Sequence, residues 1–216
     1  MHSIVVLDVG GTHFKTTKTT LLKFKGTYFH GLLGSGKWQP QDNGSYFIDL
    51  DPECFKSILN YLQLGVISFE DLDYYTCAKL LGSIEYLSIP LPHLVWDPMA
   101  SAPFACFSRN LRQAQRPKIS TTLEAVGFQP CDSYTVAIQN MRVHLHIGFS
   151  SKYGVFKQTI QLNPLGGTDI PMLVHLHYHR VNSKMYLKND RKNQIANVSS
   201  ISYDDVLLPI SLQFKT

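Results

Sequence analysis

The segment Asp51-Pro52-Glu53 constrains the fold of this chain most, because it begins a short amphipathic helix directly after an alternating strand. Asp51 can cap a helix through its carboxylate, Pro52 suits the first helical position since it has no N–H to leave unpaired, and Glu53 complements the positive helix end. The apolar residues that follow have the spacing of one buried face: Phe55, Ile58, Leu59 and Leu62. Gly65 stands where a left-handed C-terminal residue is usual. A helix from Pro52 to Leu64 is predicted, and nothing in it points to catalysis.

The residues before this helix have the pattern of a small sheet. Ile4–Val9 is apolar and β-branched, Gly10-Gly11 permits the positive φ of a tight connection, and Thr12–Thr16 continues with a period of two, which predicts a hairpin. Four segments have helical character: Thr20 to Leu22, Tyr28 to Leu33, Pro52 to Leu64 and Tyr74 to Leu81. We therefore predict an α+β N-terminal unit in which helices pack on a small sheet.

Two sequence runs carry a family resemblance. The first is IVVLDVGGTHFKTTKTTL, from Ile4 to Leu21. The second is YFIDLDP, from Tyr46 to Pro52, and it is followed by Phe55, Ile58-Leu59-Asn60-Tyr61-Leu62 and Gly65. These motifs resemble the BTB/POZ fold in its potassium-channel-tetramerisation (KCTD-type) form. The resemblance covers about Ile4 to Leu91, and the rest of the chain is not covered.

The chain departs from the family pattern at three places, of which the resemblance associates the first two with subunit contacts. Leu50 and Gln63 replace two arginines that are common in the family, and Gly82–Leu87 replaces its usual acidic E-A-E-F-Y stretch. The oligomer interface that the resemblance implies includes Asp49, Leu50, Asp51, Gln63 and Leu64. Because Leu50 and Leu64 stand near positions that are usually polar, a more apolar interface and the loss of the interface both remain open.

The resemblance also implies partners. KCTD-type BTB domains form closed rings of four or five subunits, and many recruit a cullin scaffold. The cullin-facing surface, carried over by position, consists of Gly34, Ser35, Gly36, Lys37, Trp38, Glu85, Tyr86 and Leu87. An exposed aromatic side chain in a Gly-rich loop can anchor an interface, which favours Trp38 as a contact, and packing of Trp38 on its own domain is the alternative.

Two functional hypotheses follow from the resemblance. The first is a non-enzymatic oligomeric adaptor, a substrate receptor that links a client protein to a cullin-RING ubiquitin ligase. The second is a BTB-ring scaffold or auxiliary subunit of a receptor, channel or signalling complex without ubiquitin chemistry. Co-purification with a cullin separates the two, since the shared motifs do not.

Length and composition permit more than one domain. The chain has 216 residues, above the common domain size of roughly 100 to 150, and its composition is that of a globular protein, with 44% hydrophobic and 17% charged residues. Five of the eleven prolines lie between Pro90 and Lys118. We predict a BTB/POZ domain over residues 1–90, a Pro-rich linker over 91–118 and a β-rich, partner-binding domain over 119–216.

The β character of the C-terminal part comes from short alternating runs. Their apolar members are Tyr134, Val136 and Ile138; Val143, Leu145 and Ile147; Ile160 and Leu162; Met185 and Leu187; and Ile210, Leu212 and Phe214. Turn candidates separate the runs: Gly166-Gly167, Asn182-Ser183 and Asp204-Asp205. The fold family of this part is not recognised, and its role as the client-binding domain is implied only by its position in the chain.

Positive charge concentrates in the C-terminal part. Residues 1–90 carry seven Lys and Arg against nine Asp and Glu, and the remaining residues carry thirteen against seven. A basic patch is predicted from Arg180, Lys184, Lys188, Arg191 and Lys192. Such a patch suits an acidic protein partner, an anionic membrane surface or nucleic acid, and a solvated strand-turn-strand face is the alternative. Nucleic acid is disfavoured because only Tyr186 is available for stacking.

The sequence disfavours a membrane span and a secretory signal. No stretch reaches the roughly 18 to 20 uninterrupted apolar residues of a transmembrane helix, and Asp8 interrupts the N-terminal apolar run. The four cysteines, Cys54, Cys77, Cys106 and Cys131, are widely spaced and include no C-x-x-C pair. Reduced thiols and a cytoplasmic or nuclear location are expected.

Two runs invite an enzymatic interpretation. Gly31–Lys37 satisfies G-x-x-x-x-G-K, but Trp38 stands where a phosphate-binding loop needs Ser or Thr, and Pro40 follows where a helix should begin. The run Leu7–Thr12 resembles the first phosphate motif of actin-like sugar kinases, yet the chain has little room for their two large lobes. No G-x-S-x-G elbow is present, so we predict no enzyme activity and no cofactor.

Alternating histidines form the remaining candidate for a metal site. His144 and His146 lie two residues apart, and His175, His177 and His179 alternate in HLHYH, so each set lines one strand face. No carboxylate or cysteine occurs at comparable spacing. The outer side of a half-buried strand explains the pattern more simply, and no metal is predicted.

Overall fold

The computed structural model describes residues 3–36, 38–101, 105–108, 110–115, 122–138, 144–151, 157–163, 172–189, 193–197 and 207–214. The chain divides into two compact units, Met1–Pro92 and His93–Thr216. The first contains helices and a small sheet, and the second is mostly β, so the predicted fold class is confirmed. The domain limits predicted at residues 90 and 118 stay a prediction.

The first unit is a three-stranded sheet covered by helices. Its elements are β1 (Ile4–Val9), β2 (Thr12–Thr17), α1 (Lys18–Leu21), α2 (Tyr28–Ser35), β3 (Tyr46–Ile48), α3 (Pro52–Leu64) and α4 (Tyr74–Tyr86). β1 and β2 form the predicted antiparallel hairpin, and β3 pairs with the other edge of β1 in parallel, which gives the order β2-β1-β3. The helix after Asp51 begins and ends as predicted, whereas α4 continues five residues beyond the predicted Leu81.

The core of this unit lies between the sheet and α3. Val5, Leu7 and Val9 point to it from β1. The predicted face of α3 is buried, and Phe55 makes ring contacts with Phe14 and Phe29. Each fully buried aromatic or aliphatic side chain contributes roughly 1.5 to 3 kcal/mol relative to an exposed one, so this seam holds the small unit together.

Gly10 is required at the hairpin turn. Its φ is +53°, and a Cβ there would lie 2.7 Å from the carbonyl oxygen of Leu50. The Gly10 N–H also donates to the carbonyl of Ile48 at 3.2 Å. The turn thus lies directly against the chain that leaves β3 for α3, where only glycine fits.

The Asp51 carboxylate joins α3 to α4. Its Oδ1 accepts the backbone N–H groups of Glu53 at 3.0 Å and Cys54 at 3.1 Å, and its Oδ2 accepts the Lys79 ammonium at 3.1 Å. The Cys54 N–H, followed by the hydrogen bond from Lys79, lowers the pKa of Asp51 below its usual value. The ionised carboxylate therefore stabilises the fold, and protonation removes that contribution.

Replacing Asp51 with alanine should lower the free energy of unfolding by about 1 kcal/mol near neutral pH, because the helix loses its cap. The pKa of Asp51 is lowered by folding, so the difference from the natural protein should be full above about pH 5 and shrink as pH falls through the folded pKa. Urea unfolding at several pH values measures it. Asp49→Ala, which removes an exposed carboxylate beside the cap, serves as the control. An equal loss in both variants would contradict the capping role.

The second unit is a β-sandwich. Its strands are β4 (Trp96–Asp97), β5 (Cys106–Phe107), β6 (Ala114–Gln115), β7 (Thr122–Gly127), β8 (Ser133–Ile138), β9 (Leu145–Ser151), β10 (Lys157–Leu162), β11 (Met172–His179), β12 (Lys184–Asn189), β13 (Asn193–Asn197) and β14 (Leu207–Phe214). A five-stranded sheet has the order β10-β9-β14-β7-β4, and a four-stranded sheet has the order β13-β12-β11-β8. A 3₁₀ turn over Arg180–Asn182 connects β11 to β12, and β5 pairs with β6 separately.

One apolar core lies between the two large sheets. Leu145, Ile147 and Phe149 enter it from β9, and Val174 and Leu176 enter it from β11. These alternations agree with the predicted strand faces of this unit. The Tyr134 hydroxyl of β8 crosses the core and donates to the Gly148 carbonyl of β9 at 2.8 Å, which ties the sheets together. Val143, Gly166-Gly167 and Asp204-Asp205 lie outside the described residues.

Part of the stretch predicted as a linker is built into this sandwich. β4 pairs with β7 through Trp96 and Gly127, and the Trp96 N–H donates to the Leu111 carbonyl at 2.8 Å. Val95, Trp96 and Leu111 are buried. The prolines indicated an exposed spacer. Burial of these apolar side chains is favourable, because it removes their surface from water, and an exposed spacer would not provide it.

Gly148 permits close packing of β9 on β10. A Cβ at this position would lie 1.8 Å from the Gln158 carbonyl oxygen and 2.7 Å from the Thr159 Cα, both backbone atoms. Backbone of a paired strand cannot move aside as a flexible side chain can.

Gly148→Ala should therefore destabilise the second unit by at least about 2 kcal/mol, measured by thermal and urea unfolding. Gly82→Ala is the matched control, because an added Cβ at this exposed position of α4 meets no atom within 4 Å. The control should leave stability unchanged or raise it by up to about 1 kcal/mol, since alanine favours a helix. Equal stability of the Gly148→Ala variant and the natural protein would refute the packing constraint.

Candidate interaction surfaces

The start of α2 lies beside the end of α4 in the first unit. Gly34 and Ser35 close α2, and Gly36 follows with φ +67°, the left-handed conformation of a C-cap. Glu85 and Tyr86 close α4 and are exposed. Of the loop residues that sequence reasoning selected, Trp38 is the one that approaches the end of α4, through the ring of Tyr28.

Tyr28 is the residue that connects the two segments. Its N–H donates to the Leu87 carbonyl at 3.0 Å, and its ring lies 5.3 Å from that of Tyr86 and 6.1 Å from that of Trp38. Trp38 also packs 4.5 Å from Tyr46 of β3. We call Tyr28, Trp38, Tyr46 and Tyr86 the aromatic patch. Tyr28 and Tyr46 were absent from the predicted surface, because aromatic residues at the start of a helix and in a strand are ordinary core candidates.

Trp38 combines the two roles that the sequence left open. It packs on rings of its own domain and yet remains only partly buried. A side chain that is held in place but still reachable can contact a partner without losing much conformational freedom.

The Tyr28 hydroxyl is held in its neutral form. Burial, followed by the hydrogen bond with Tyr86 and the nearby Tyr86 charge, raises the pKa of Tyr28 to about 12. The hydroxyl therefore stays protonated even at alkaline pH values where an ordinary tyrosine ionises, and it can take part in hydrogen bonding within the aromatic patch.

Two members of the predicted cullin surface, Leu87 and Lys37, are not placed on it by the structure. Leu87 is fully buried, with 0% of its surface exposed, so its side chain is not available to a partner and that prediction is corrected. The cause is local: the chain turns after α4, and the Leu87 N–H donates to the Ser83 carbonyl while the side chain enters the core. Lys37 lies outside the described residues.

The residues predicted at the oligomer interface differ in their accessibility. Asp49, Gln63 and Leu64 are exposed, Leu64 to 75%, and Leu50 is partly buried. Asp51 is instead engaged within its own subunit as a helix cap and as the partner of Lys79. Val66 extends the exposed apolar surface next to Leu64, although sequence reasoning did not select it.

The predicted basic patch is divided by the structure. Arg180 is not available as a free cation, because its guanidinium binds both carboxylate oxygens of Asp132 at 2.7 to 3.0 Å. Lys184 and Lys188 lie on β12. Arg191 and Lys192 are outside the described residues.

Three of the alternating histidines, His144, His146 and His175, make hydrogen bonds with nearby polar side chains. His175 contacts the hydroxyls of Thr135 at 2.9 Å and Ser133 at 3.4 Å, and His144 accepts from the Gln161 amide at 2.9 Å. Within the described ranges, no three His, Cys, Asp or Glu side chains are arranged to hold a metal ion. The absence of a metal stays a prediction.

The structure also shows the state of the cysteines and the character of the helices. All four cysteines are free thiols, and burial raises the pKa of Cys54 and of Cys131 to about 11. In the part of the chain that the structure covers, no helix combines the length and apolar character needed to cross a membrane.

Comparison with known proteins gives a family match and several similar proteins. The BTB/POZ domain family matches residues 5–95. The human BTB/POZ domain-containing protein KCTD3 is 44% identical over 62 residues, which are 28% of this chain and 8% of that protein. The human A-type voltage-gated potassium channel KCND3 is 36% identical over 69 residues, 31% of this chain and 10% of the channel. The chain thus matches a tenth or less of the length of these relatives.

A solved structure is similar to more than half of the chain. The crystal structure of the Drosophila melanogaster neuralized NHR1 domain superposes with a TM-score of 0.47 at 10% sequence identity, and covers 58% of this chain and 99% of that domain.

Proposed function

We propose that this chain, whose residues 5–95 form a BTB/POZ domain of the potassium-channel-tetramerisation type, is an oligomeric adaptor that links a client protein to a cullin-RING ubiquitin ligase. Membership in this family supports a role in oligomerisation and adaptor assembly, and the family is generally non-enzymatic. The cullin and the client are the finer part of the proposal.

The aromatic patch carries the cullin part of the proposal. It joins the exposed loop after α2 to the exposed end of α4, the two segments that the family resemblance associates with cullin binding. Aromatic side chains that are ordered before binding are typical anchors of protein interfaces. Tyr86 is the exposed member of the aromatic patch, with 53% of its surface accessible, whereas Tyr28, Trp38 and Tyr46 are partly buried.

The exposed apolar end of α3 supports self-association. Leu64 and Val66 flank Gly65, and both side chains are largely accessible in the single chain. A closed ring of four or five copies would cover the same patch on every subunit. Of the two alternatives at Leu50 and Leu64, a more apolar interface and the loss of the interface, we propose the more apolar interface.

A second function is favoured by one comparison. The match to a voltage-gated potassium channel over 69 residues is a reason to keep a scaffold or auxiliary subunit without ubiquitin chemistry as the competing proposal. Stable rings that do not bind a cullin at micromolar concentration would favour it. The free thiols support a cytoplasmic or nuclear location for either function.

Light scattering should give four or five times the mass of one chain. Leu64→Lys should shift this mass toward the monomer, because it puts charge into an apolar contact. Met99→Lys is the matched control, since Met99 is an exposed apolar residue of the second unit, and it should leave the assembly unchanged. If the natural protein is a monomer at about 10 μM, a concentration comparable to the dissociation constant of a weak interface, the proposed ring is wrong.

Trp38→Asp should weaken binding to a purified cullin by at least about tenfold while the oligomer stays intact, as measured by biolayer interferometry. Tyr86→Ala should weaken it as well and leaves the Trp38–Tyr46 contact in place. Tyr75→Ala is the control, because Tyr75 is an exposed tyrosine eleven residues earlier in α4, about 16 Å away along the helix. Unchanged affinity in both test variants would refute the assigned surface.

A further inference from the structure

The outer face of the four-stranded sheet concentrates basic and imidazole side chains. Along β11, Val174, Leu176 and Tyr178 point into the core, so His175, His177 and His179 lie on the opposite face. β12 pairs with them in register: His175 with Lys188, His177 with Tyr186 and His179 with Lys184. We call these six side chains the histidine face.

No carboxylate interrupts this face in the described strands. β8 contributes Thr135 beside His175 and Ser133 beside His177, and the residues of β13 in register with Lys184, Tyr186 and Lys188 are Asn197, Ile195 and Asn193. The neighbouring Asp132 is paired with Arg180. The two lysines are therefore accompanied, within the described strands, by imidazole side chains and by residues without negative charge.

Hydroxyl groups of β8 contact His175: Thr135 Oγ1 and Ser133 Oγ face its two ring nitrogens. His177 faces the rings of His179 and Tyr186, and the described strands bring no acidic group to it. Among the described residues, the charged groups in register with or next to these histidines are Lys184 and Lys188, with the Arg180–Asp132 pair at the end of β11.

The spacing of the face fits an extended acidic chain. Alternate residues of a strand repeat every 6.5 to 7 Å or so, and neighbouring strands lie about 4.8 Å apart. A peptide in extended conformation with a carboxylate at every second residue has the same repeat. Its carboxylates would meet successive rows of the face, from Lys188 with His175 to Lys184 with His179.

Nucleic acid fits this face less well than an acidic peptide. Base stacking needs an open aromatic surface, but the Tyr186 ring lies 6.5 Å from the His177 ring in a stacked arrangement and its hydroxyl accepts from the Asn182 amide. Phosphate recognition favours the guanidinium fork, and Arg180 already uses its fork on Asp132.

We infer that the histidine face binds an extended, acidic segment of a partner protein. The inference rests on the proposed adaptor function, because it names the chemistry of the client. It assigns client recognition to side chains that the sandwich core does not use.

The test uses the full chain and a fluorescein-labelled peptide of alternating glutamate and threonine, followed by fluorescence anisotropy. A peptide with glutamine in place of every glutamate is the control ligand. Binding should weaken by at least about fivefold when salt rises from about 50 to about 200 mM, because the charges are exposed.

Two variants locate the binding. Lys188→Glu should weaken the peptide complex by about fivefold, and Arg112→Glu, the same change at an exposed residue outside the four-stranded sheet, should have less than about a twofold effect. Circular dichroism verifies that each variant is folded.

Several results would overturn the inference. They are equal binding of the glutamine peptide, equal weakening by Lys188→Glu and Arg112→Glu, and tighter binding of oligothymidine or of phosphatidylserine vesicles than of the acidic peptide. Subunit mass and cullin affinity are measured on the same preparations. If a monomer without cullin affinity binds the peptide, the adaptor proposal is wrong and the inference about the histidine face stands. If an oligomer binds the cullin but not the peptide, only the inference about the histidine face is wrong.

Discussion

The buried seam around Phe55 holds the first unit together, and its two long helices are linked by the carboxylate of Asp51. One of its oxygens caps α3, and the other accepts the ammonium of Lys79 from α4. The link fixes α4 against the start of α3, and the thirteen residues of α4 then carry Tyr86 to the ring of Tyr28. The proposed partner surface thus includes the C-terminal end of α4, and the Lys79–Asp51 ion pair holds the first half of the same helix.

The aromatic patch shows how a small domain can share side chains between stability and binding. Trp38 and Tyr28 contact rings of their own domain, so their conformations are restricted before any partner arrives. Less conformational entropy is then lost on association. The same arrangement means that a substitution at Trp38 affects the fold as well as the interface, which is why Tyr86 is the cleaner probe of binding.

The second unit separates these two requirements by the alternation of its strands. The inner residues of β11 and β12 form the core with β9, and the Tyr134 hydroxyl links the two sheets. The outer residues contribute little to that core, so histidine and lysine can occupy them at small cost. A binding face on such a sheet can change in composition while the sandwich persists.

The sequence by itself determined the features that depend on neighbours a few residues apart. The cap, the proline and the apolar spacing predicted α3 from Pro52 to Leu64, the Gly10-Gly11 turn predicted the hairpin, and alternation predicted a β-rich second unit. Only the tertiary structure decided that Leu87 is buried, that Arg180 is paired with Asp132 forty-eight residues earlier, and that Trp96 belongs to the sandwich. Burial and ion pairing are set by residues distant in the chain, and local patterns carry no information about which of them will meet.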